Sequence, residues 1–131
     1  MFLVGDRLTR KVVTAKSAET LAAAATKMKA GNFRRLPVVD SGKLVGIVCE
    51  FDLKRYADTL DSTRIESVMT RDPVTVMPSE TPEHAAGLMR QHNVGALPVI
   101  HGGKVVGIVT AKDLMMPEPS PLLGWEPRTR R

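Results

Sequence analysis

The chain has 131 residues, of which 43% are hydrophobic and 25% charged. This composition suits one compact globular core, and the length excludes two independent ones. The net charge of +5 favours an anionic partner without identifying it. Cys49 is the only cysteine, which excludes an internal disulfide, and no apolar run approaches the roughly 20 residues of a membrane span. We expect a cytoplasmic protein without a membrane segment.

The first predicted elements are a short β segment at Val12–Thr14 and a helix at Leu21–Ala30. Thr20 is a favourable N-cap, and apolar residues recur along the helix at helical spacing. Gly31 predicts the point at which this helix stops.

A hairpin and a second helix follow. The strands Leu36–Val39 and Leu44–Cys49 flank a turn that contains Ser41 and Gly42. Both strands are nearly continuous apolar runs, which indicates burial on both faces. A helix from about Phe51 to Leu60 completes this unit.

The second half of the chain repeats these elements. Residues 13–53 align with residues 74–114 without a gap, at an offset of 61 residues. A unit of about 55 residues buries too little surface alone, so we expect the two units to pack together. We predict one repeat at 7–60, a second at 61–116 and an irregular tail rich in Pro and Arg at 117–131. The second repeat is predicted to contain a β segment at Val74–Val76, a helix at Pro82–Gln91 with Thr81 as its N-cap and Asn93 as its stop, and strands at Leu97–Ile100 and Val105–Thr110.

The repeated segments Leu-Pro-Val, Gly-Lys, Val-Gly-Ile-Val and Asp-Leu resemble a pair of cystathionine-β-synthase (CBS) domains, the Bateman module. The resemblance covers roughly residues 7–116. It implies an α+β (α/β) fold of two β-α-β-β-α repeats, related by pseudo-twofold symmetry and forming two clefts. It also implies a regulatory module, not an enzyme, that binds AMP, ADP, ATP or S-adenosylmethionine, forms a homodimer and controls a separate partner protein.

The resemblance also implies the ligand-binding residues. In the motif Gly107–Asp113, Thr110 lies at a helix start that suits phosphate, Lys112 follows it, and Asp113 offers a carboxylate to ribose. The base in this cleft is expected to lie against Thr9, Lys11, Val13 and Phe33-Arg34-Arg35, with Gly95-Ala96 on the other side. The other cleft is expected to use Asp52, Arg35, Thr70, Asp72 and Val94-Gly95-Ala96.

A purely structural alternative exists for several of these residues. Thr110 and Asp113 also match a capping box, which needs no ligand. Cys49 replaces the threonine in the first repeat, so the two clefts are predicted to be unequal, one with Thr110 and the other with the arginines. Arg34 and Arg35 are suited to phosphate but equally to a solvated loop or a surface salt bridge.

Other functions find less support in the sequence. The three histidines show no metal-ligand spacing, and no set of catalytic residues is recognisable, so we predict neither a metal site nor a catalytic cofactor. A low aromatic content and the lack of a reader motif argue against nucleic-acid binding. Cys49 is predicted to be a buried, inert thiol, while Gly46 and Gly107 are predicted to allow close backbone packing. A ligand-free dimerisation or protein-interaction module remains the alternative function.

Overall fold

The computed structural model describes residues 1–10 and 12–116. Lys11 and the tail at 117–131 lie outside the described residues, so the predictions made for them stay predictions.

Helices and strands appear in the same order in each half of the chain. The helices are α1 (Leu21–Gly31), α2 (Glu50–Arg55), α3 (Pro82–His92) and α4 (Ala111–Met115). The strands are β1 (Arg35–Asp40), β2 (Lys43–Cys49), β3 (Thr70–Arg71), β4 (Ala96–His101) and β5 (Lys104–Thr110). Short 3₁₀ turns lie at Val4–Asp6, Ala57–Thr59 and Ile65–Ser67. None of the helices in the described ranges is both long and apolar enough to cross a membrane.

The two long helices begin and end in the same way. Thr20 Oγ1 accepts the Ala23 N–H and Thr81 Oγ1 accepts the His84 N–H, each over 3.1 Å, which confirms both predicted N-caps. Asn32 and Asn93 follow the helices in the left-handed region, with φ of 57° and 53°. The stop at Asn93 is confirmed. The stop at Gly31 is wrong by one residue, because asparagine tolerates this conformation and the glycine is still helical.

Three predicted elements differ from the structure. Val12–Thr14 and Val74–Val76 are not strands; each repeat makes one parallel bridge instead, from Ala15 to Val38 and from Val76 to Val99. The predicted helix Phe51–Leu60 ends at Arg55 and continues as a 3₁₀ turn. The chain bends there because Leu60 returns to α1, where its carbonyl accepts the Ala22 N–H over 3.0 Å and its side chain packs against the core.

Each repeat contains one antiparallel hairpin, and the two hairpins share a register. Arg35 lies opposite Cys49 in the first, and Ala96 lies opposite Thr110 in the second. Both hairpins have an irregularity at the same place, after Val38 and after Val99. The repeats therefore fold alike down to this local detail, as the duplication predicts.

The repeats exchange segments at their junction. β3 precedes the second repeat's helix yet pairs with β2 of the first, while Thr9 bridges Ile108 of β5. Glycine makes this approach possible on both sides. A Cβ at Gly46 would lie 2.8 Å from Thr70 O, and one at Gly107 would lie 2.6 Å from Thr9 O. The prediction that these glycines allow close packing is confirmed.

The buried cores show the same exchange. The first core combines side chains of α1, β1 and β2 with Ile65 and Met69, which follow that repeat in the chain. The second core combines side chains of α3, β4 and β5 with Val4, from the other end of the chain. Ile65 and Val4 are both fully buried. The core of each repeat therefore includes a segment that precedes the hairpin of the other repeat in the chain.

Asp40, at the end of β1, holds the connection that leads into α1. Its carboxylate accepts hydrogen bonds from the Ser17 hydroxyl and, over 3.1 Å, from the Ser17 N–H, and these bonds lower the pKa of Asp40 below its ordinary value. Because the folded pKa is the lower one, the stabilisation is present above the unfolded pKa near 4 and is lost as the pH falls through the folded pKa.

We therefore expect Asp40→Asn to lower stability at neutral pH, and this loss to shrink as the pH is reduced below about 4. Urea unfolding at several pH values measures the difference. Asp61→Asn is the matched control, because no hydrogen bond or ion pair joins Asp61 to another described residue. A loss that stays constant from neutral to acidic pH contradicts the interpretation.

Candidate functional site

In the part of the chain that the structure describes, two of the clefts where the repeats meet contain predicted binding residues. The larger has a volume of about 610 Å³ and the smaller about 280 Å³. Ligand pockets usually span roughly 300–1,000 Å³, so the larger cleft is of ordinary size for a small molecule. In each cleft, the loop before the hairpin of one repeat lies beside the end of the second hairpin strand of the other repeat. The two clefts are therefore related by the same pseudo-twofold symmetry as the repeats.

The larger cleft contains most of the residues predicted for it. The segment Thr70–Val74 lies along one side, and the end of β2 at Cys49 lies beside it. The loop that enters β4 supplies the opposite side. The predicted residues that line this cleft are Arg34, Arg35, Thr70, Asp72, Val94, Gly95 and Ala96. Sequence reasoning missed Glu50 and Arg71, which also line it.

The smaller cleft contains fewer of its predicted residues. Thr9, Val13, Phe33 and Thr110 line it, together with Arg34 and Arg35. The placement of Gly95 and Ala96 in this cleft is wrong, since both line the larger one. Gly95 and Ala96 adjoin the end of β5, where Ala96 lies opposite Thr110, yet the cleft that they line is the one at the end of β2.

The two predicted ribose-binding carboxylates are used inside the protein. Asp52 Oδ2 accepts the Cys49 N–H over 2.8 Å, and Asp113 Oδ2 accepts the Thr110 N–H over 2.9 Å. The Asp113 N–H donates to Thr110 Oγ1 over 3.1 Å, which completes the capping box. Asp52, Lys112 and Asp113 are not among the lining residues of either cleft. The capping alternative is therefore the one that the structure supports, and a ribose role stays a prediction.

The start of α4 offers little to an anion. This helix has five residues, its Ala111 N–H donates to Gly95 O over 2.9 Å, and its Asp113 N–H is taken by Thr110. The first repeat matches it, with the Glu50 N–H donating to Arg34 O over 2.8 Å. These backbone donors are thus engaged within the protein, and a phosphate contact at Thr110 stays a prediction.

Capping predicts the effect of removing the Thr110 hydroxyl. We expect Thr110→Ala to lower the free energy of unfolding by about 1 kcal/mol, as is usual for the loss of a threonine N-cap. Thr81→Ala is the matched control, since Thr81 caps α3 with the same bond length and does not line either cleft. Chemical denaturation should give similar losses for the two variants, and a much larger loss at Thr110 would contradict a role limited to capping.

Arg34 and Arg35 lie between the two clefts. Both line the larger and the smaller cleft, in agreement with their predicted places beside the base in one cleft and beside phosphate in the other. Neither guanidinium makes a hydrogen bond or an ion pair with another described residue, so the alternative of a surface salt bridge is not realised there. Arg35 opens β1, where successive side chains point to opposite faces.

The larger cleft carries a positive balance of charge. Its lining includes the guanidinium groups of Arg34, Arg35 and Arg71 against the carboxylates of Glu50 and Asp72, a formal excess of one positive charge. Arg71 is partly engaged, because its Nη2 donates to Glu66 O over 3.0 Å. Asp72 adopts a left-handed conformation with φ of 47°. The cleft therefore suits an anion, with carboxylates available for hydroxyl or amino groups.

Cys49 is the one thiol in this cleft. Burial, and to a lesser extent the Asp52 carboxylate, raises the pKa of Cys49, against a smaller opposite effect of Arg35. The thiol is half-buried and stays protonated at neutral pH, which makes it a poor nucleophile. An unreactive cysteine agrees with this environment, but the prediction that it is buried is wrong, because the residue is only half-buried.

The chain matches known sequences along most of its length. A family model described as the CBS domain matches residues 4–58 and 65–116. The CBS domain-containing protein YhcV of Bacillus subtilis is 35% identical over 117 residues, which cover 87% of this chain and 84% of YhcV. The inosine-5'-monophosphate dehydrogenase of Korarchaeum cryptofilum is 35% identical over 113 residues, or 86% of this chain. The chain spans only 22–46% of the length of this enzyme and three other curated relatives, so the similarity covers part of each.

Solved structures share the fold. The CBS domain pair of protein MJ0100, in complex with 5'-methylthioadenosine and S-adenosyl-L-methionine, has a TM-score of 0.79 at 35% identity, covering 87% of this chain and 93% of that one. A hexameric CBS-CP12 protein from bloom-forming cyanobacteria has a TM-score of 0.80 at 28% identity, covering 87% and 66%. Together with the two matched repeats, these likenesses show that the chain belongs to the CBS-domain family and is a tandem CBS pair, a type of module that is regulatory.

Proposed function

We propose that this protein is a regulatory CBS pair that binds an adenine nucleotide in the larger cleft and controls a separate partner protein in the cytoplasm. One observation carries the proposal. Arg34 and Arg35 line a cleft of about 610 Å³ while neither guanidinium has a hydrogen-bond or ion-pair partner among the described residues. Arginine side chains bind phosphate through paired, charge-assisted hydrogen bonds, so an anionic ligand would supply the missing partners.

The rest of the cleft suits the other parts of a nucleotide. Apolar side chains, among them Ile47, Val74 and Leu97, offer a surface for the base. Thr70 and Asp72 offer polar groups to the ribose hydroxyls or to the amino group of adenine. A mainly apolar wall with a few polar groups is the usual composition of a small-molecule site.

Charge favours a nucleotide over S-adenosylmethionine. The protein MJ0100 was solved with S-adenosyl-L-methionine and 5'-methylthioadenosine, which supports an adenosine ligand in this fold. S-adenosylmethionine carries a positive sulfonium, whereas the lining of the larger cleft here has an excess of positive charge. Among the adenosine ligands we therefore propose ADP, ATP and AMP for this chain.

A thermal-shift series tests the ligand. At a concentration roughly 100-fold above its dissociation constant, a ligand stabilises the folded state by about 2.7 kcal/mol, which shifts the midpoint by several degrees. We expect ADP and ATP to give larger shifts than AMP, and S-adenosylmethionine and adenosine to give smaller ones at equal concentration. No shift with any of these ligands would overturn the proposal.

A second candidate is a ligand-free dimerisation or protein-interaction module. It is favoured by apolar exposure beside α3 and α4, where Met115 is 80% exposed and Met116 55% exposed. A hollow of about 520 Å³ lies next to them, lined on one side by α3. Sedimentation of the full chain tests this candidate, which predicts a dimer whose stability does not respond to nucleotides.

A further inference from the structure

We infer that the two clefts share one pair of arginines, so that a nucleotide phosphate held in one cleft disfavours a second one in the other. This inference rests on the proposed function and concerns its regulation. It predicts one tightly bound ADP per chain, although the fold offers two clefts.

The position of Arg35 supports the sharing. Arg35 belongs to the first repeat, where it lies opposite Cys49 at the start of β1. Its guanidinium nevertheless reaches the second repeat, since Nη2 lies 3.5 Å from the place that a Cβ on Gly95 would occupy. Gly95 is the pseudo-twofold counterpart of Arg34, at the offset of 61 residues. The Arg35 side chain therefore spans the junction between the repeats.

The second repeat has no equivalent pair. The counterparts of Arg34 and Arg35 are Gly95 and Ala96, which carry no charge. Among the described residues, the two arginines are the only cationic side chains that line the smaller cleft. A phosphate in either cleft can thus draw on these two guanidinium groups, with Arg71 as a further cation in the larger cleft.

Electrostatics then couples the clefts. The first phosphate neutralises much of the charge of the pair and orients its hydrogen-bond donors, so a second phosphate meets a weaker site and a like charge nearby. Coupling between two sites typically changes affinity by about 5- to 150-fold. We expect the second ADP to bind at least about fivefold more weakly than the first, and binding in one cleft to oppose binding in the other.

Native mass spectrometry of the full chain with increasing ADP counts the bound nucleotides, and isothermal titration calorimetry gives the affinities. Cys49 identifies the occupied cleft, because it lines the larger cleft and not the smaller. We expect the first ADP to slow alkylation of Cys49 by N-ethylmaleimide at mildly alkaline pH. Unchanged alkylation with one ADP bound would place the nucleotide elsewhere and overturn the assignment to the larger cleft.

The decisive variant restores the missing charge. Gly95→Arg adds a guanidinium at the position related to Arg34, where the backbone is exposed and Arg35 Nη2 is the nearest atom. The added guanidinium lines the larger cleft and can bind the first phosphate there, which leaves Arg34 and Arg35 available to the smaller cleft. We therefore expect the second ADP to bind at least about fivefold more tightly than in the wild type. Gly87→Arg is the matched control: it adds the same charge in α3, lines neither cleft, and should leave the second affinity unchanged.

Each outcome separates this inference from the proposed function. Two ADP molecules bound to the wild type with equal affinity would overturn the sharing and leave nucleotide binding intact. A single ADP on both the wild type and Gly95→Arg would mean that the size of the smaller cleft sets the limit, which also overturns the sharing. No ADP bound to any variant would overturn the proposed function itself. The wild-type count is decisive even if Gly95→Arg does not fold.

Discussion

Arg35→Ala is expected to weaken ADP binding by about 10- to 100-fold. Hydrogen bonds to charged groups contribute about 1.5–3 kcal/mol each, and Arg35 lines the larger cleft with no hydrogen-bond or ion-pair partner among the described residues. The folded state should lose little, because the substitution removes no bond that Arg35 makes within the described protein. Isothermal titration calorimetry with ADP measures the change.

Two further variants make this result specific. Arg35→Lys keeps the charge and loses the planar pair of donors, so we expect an affinity between those of wild type and Arg35→Ala. Arg90→Ala removes the same charge from α3, outside the lining of both clefts, and is expected to bind ADP like the wild type. Equal weakening by Arg35→Ala and Arg90→Ala would mean that only the net charge of the protein matters, against a site at Arg35.

Gly107→Ala is expected to lower the free energy of unfolding by about 1–3 kcal/mol, the usual cost of overpacking. The added Cβ would overlap the Leu8 side chain and lie 2.6 Å from Thr9 O, a backbone atom that accepts the Ile108 N–H. The amino-terminal segment must then move away from β5, which disturbs the smaller cleft as well. Chemical denaturation followed by circular dichroism measures the loss.

Gly87→Ala makes the same chemical change with the opposite expected sign. Gly87 lies within α3, and the nearest atom to an added Cβ is Arg90 Nη2 at 3.9 Å. Alanine is favoured over glycine in a helix by roughly 0.5–1 kcal/mol, so this variant should be more stable than the wild type. A gain or no change for Gly107→Ala would show that the junction has room for a methyl group and contradict the close approach.

Much of the fold could be predicted from local patterns. Thr20 and Thr81 marked the helix starts because capping depends on one side chain and the backbone beside it. The hairpins followed from continuous apolar runs and from the repeat itself. The gapless alignment of residues 13–53 with residues 74–114 also implied equivalent geometry in the two halves, which the shared hairpin register shows.

The clefts were harder to predict because they depend on contacts between distant segments. The pairing of β3 with β2 brings Arg71, which the sequence did not predict, to the larger cleft, and no local pattern contains that pairing. Asp52 and Asp113 illustrate a different limit. An acid three residues after a helix start suits both a capping box and a ribose contact, and only the hydrogen bonds to Cys49 N and Thr110 N distinguish the two.

The exchange of segments between the repeats bears on how such a chain can be divided. A break after residue 60 would separate the first core from Ile65 and Met69, and the second core from Val4. Each fragment would then expose an apolar hole and an unpaired sheet edge, which favours aggregation over independent folding. The two halves should accordingly melt in one transition, and the smallest portion that can be moved to another protein with its structure intact is the interlocked pair.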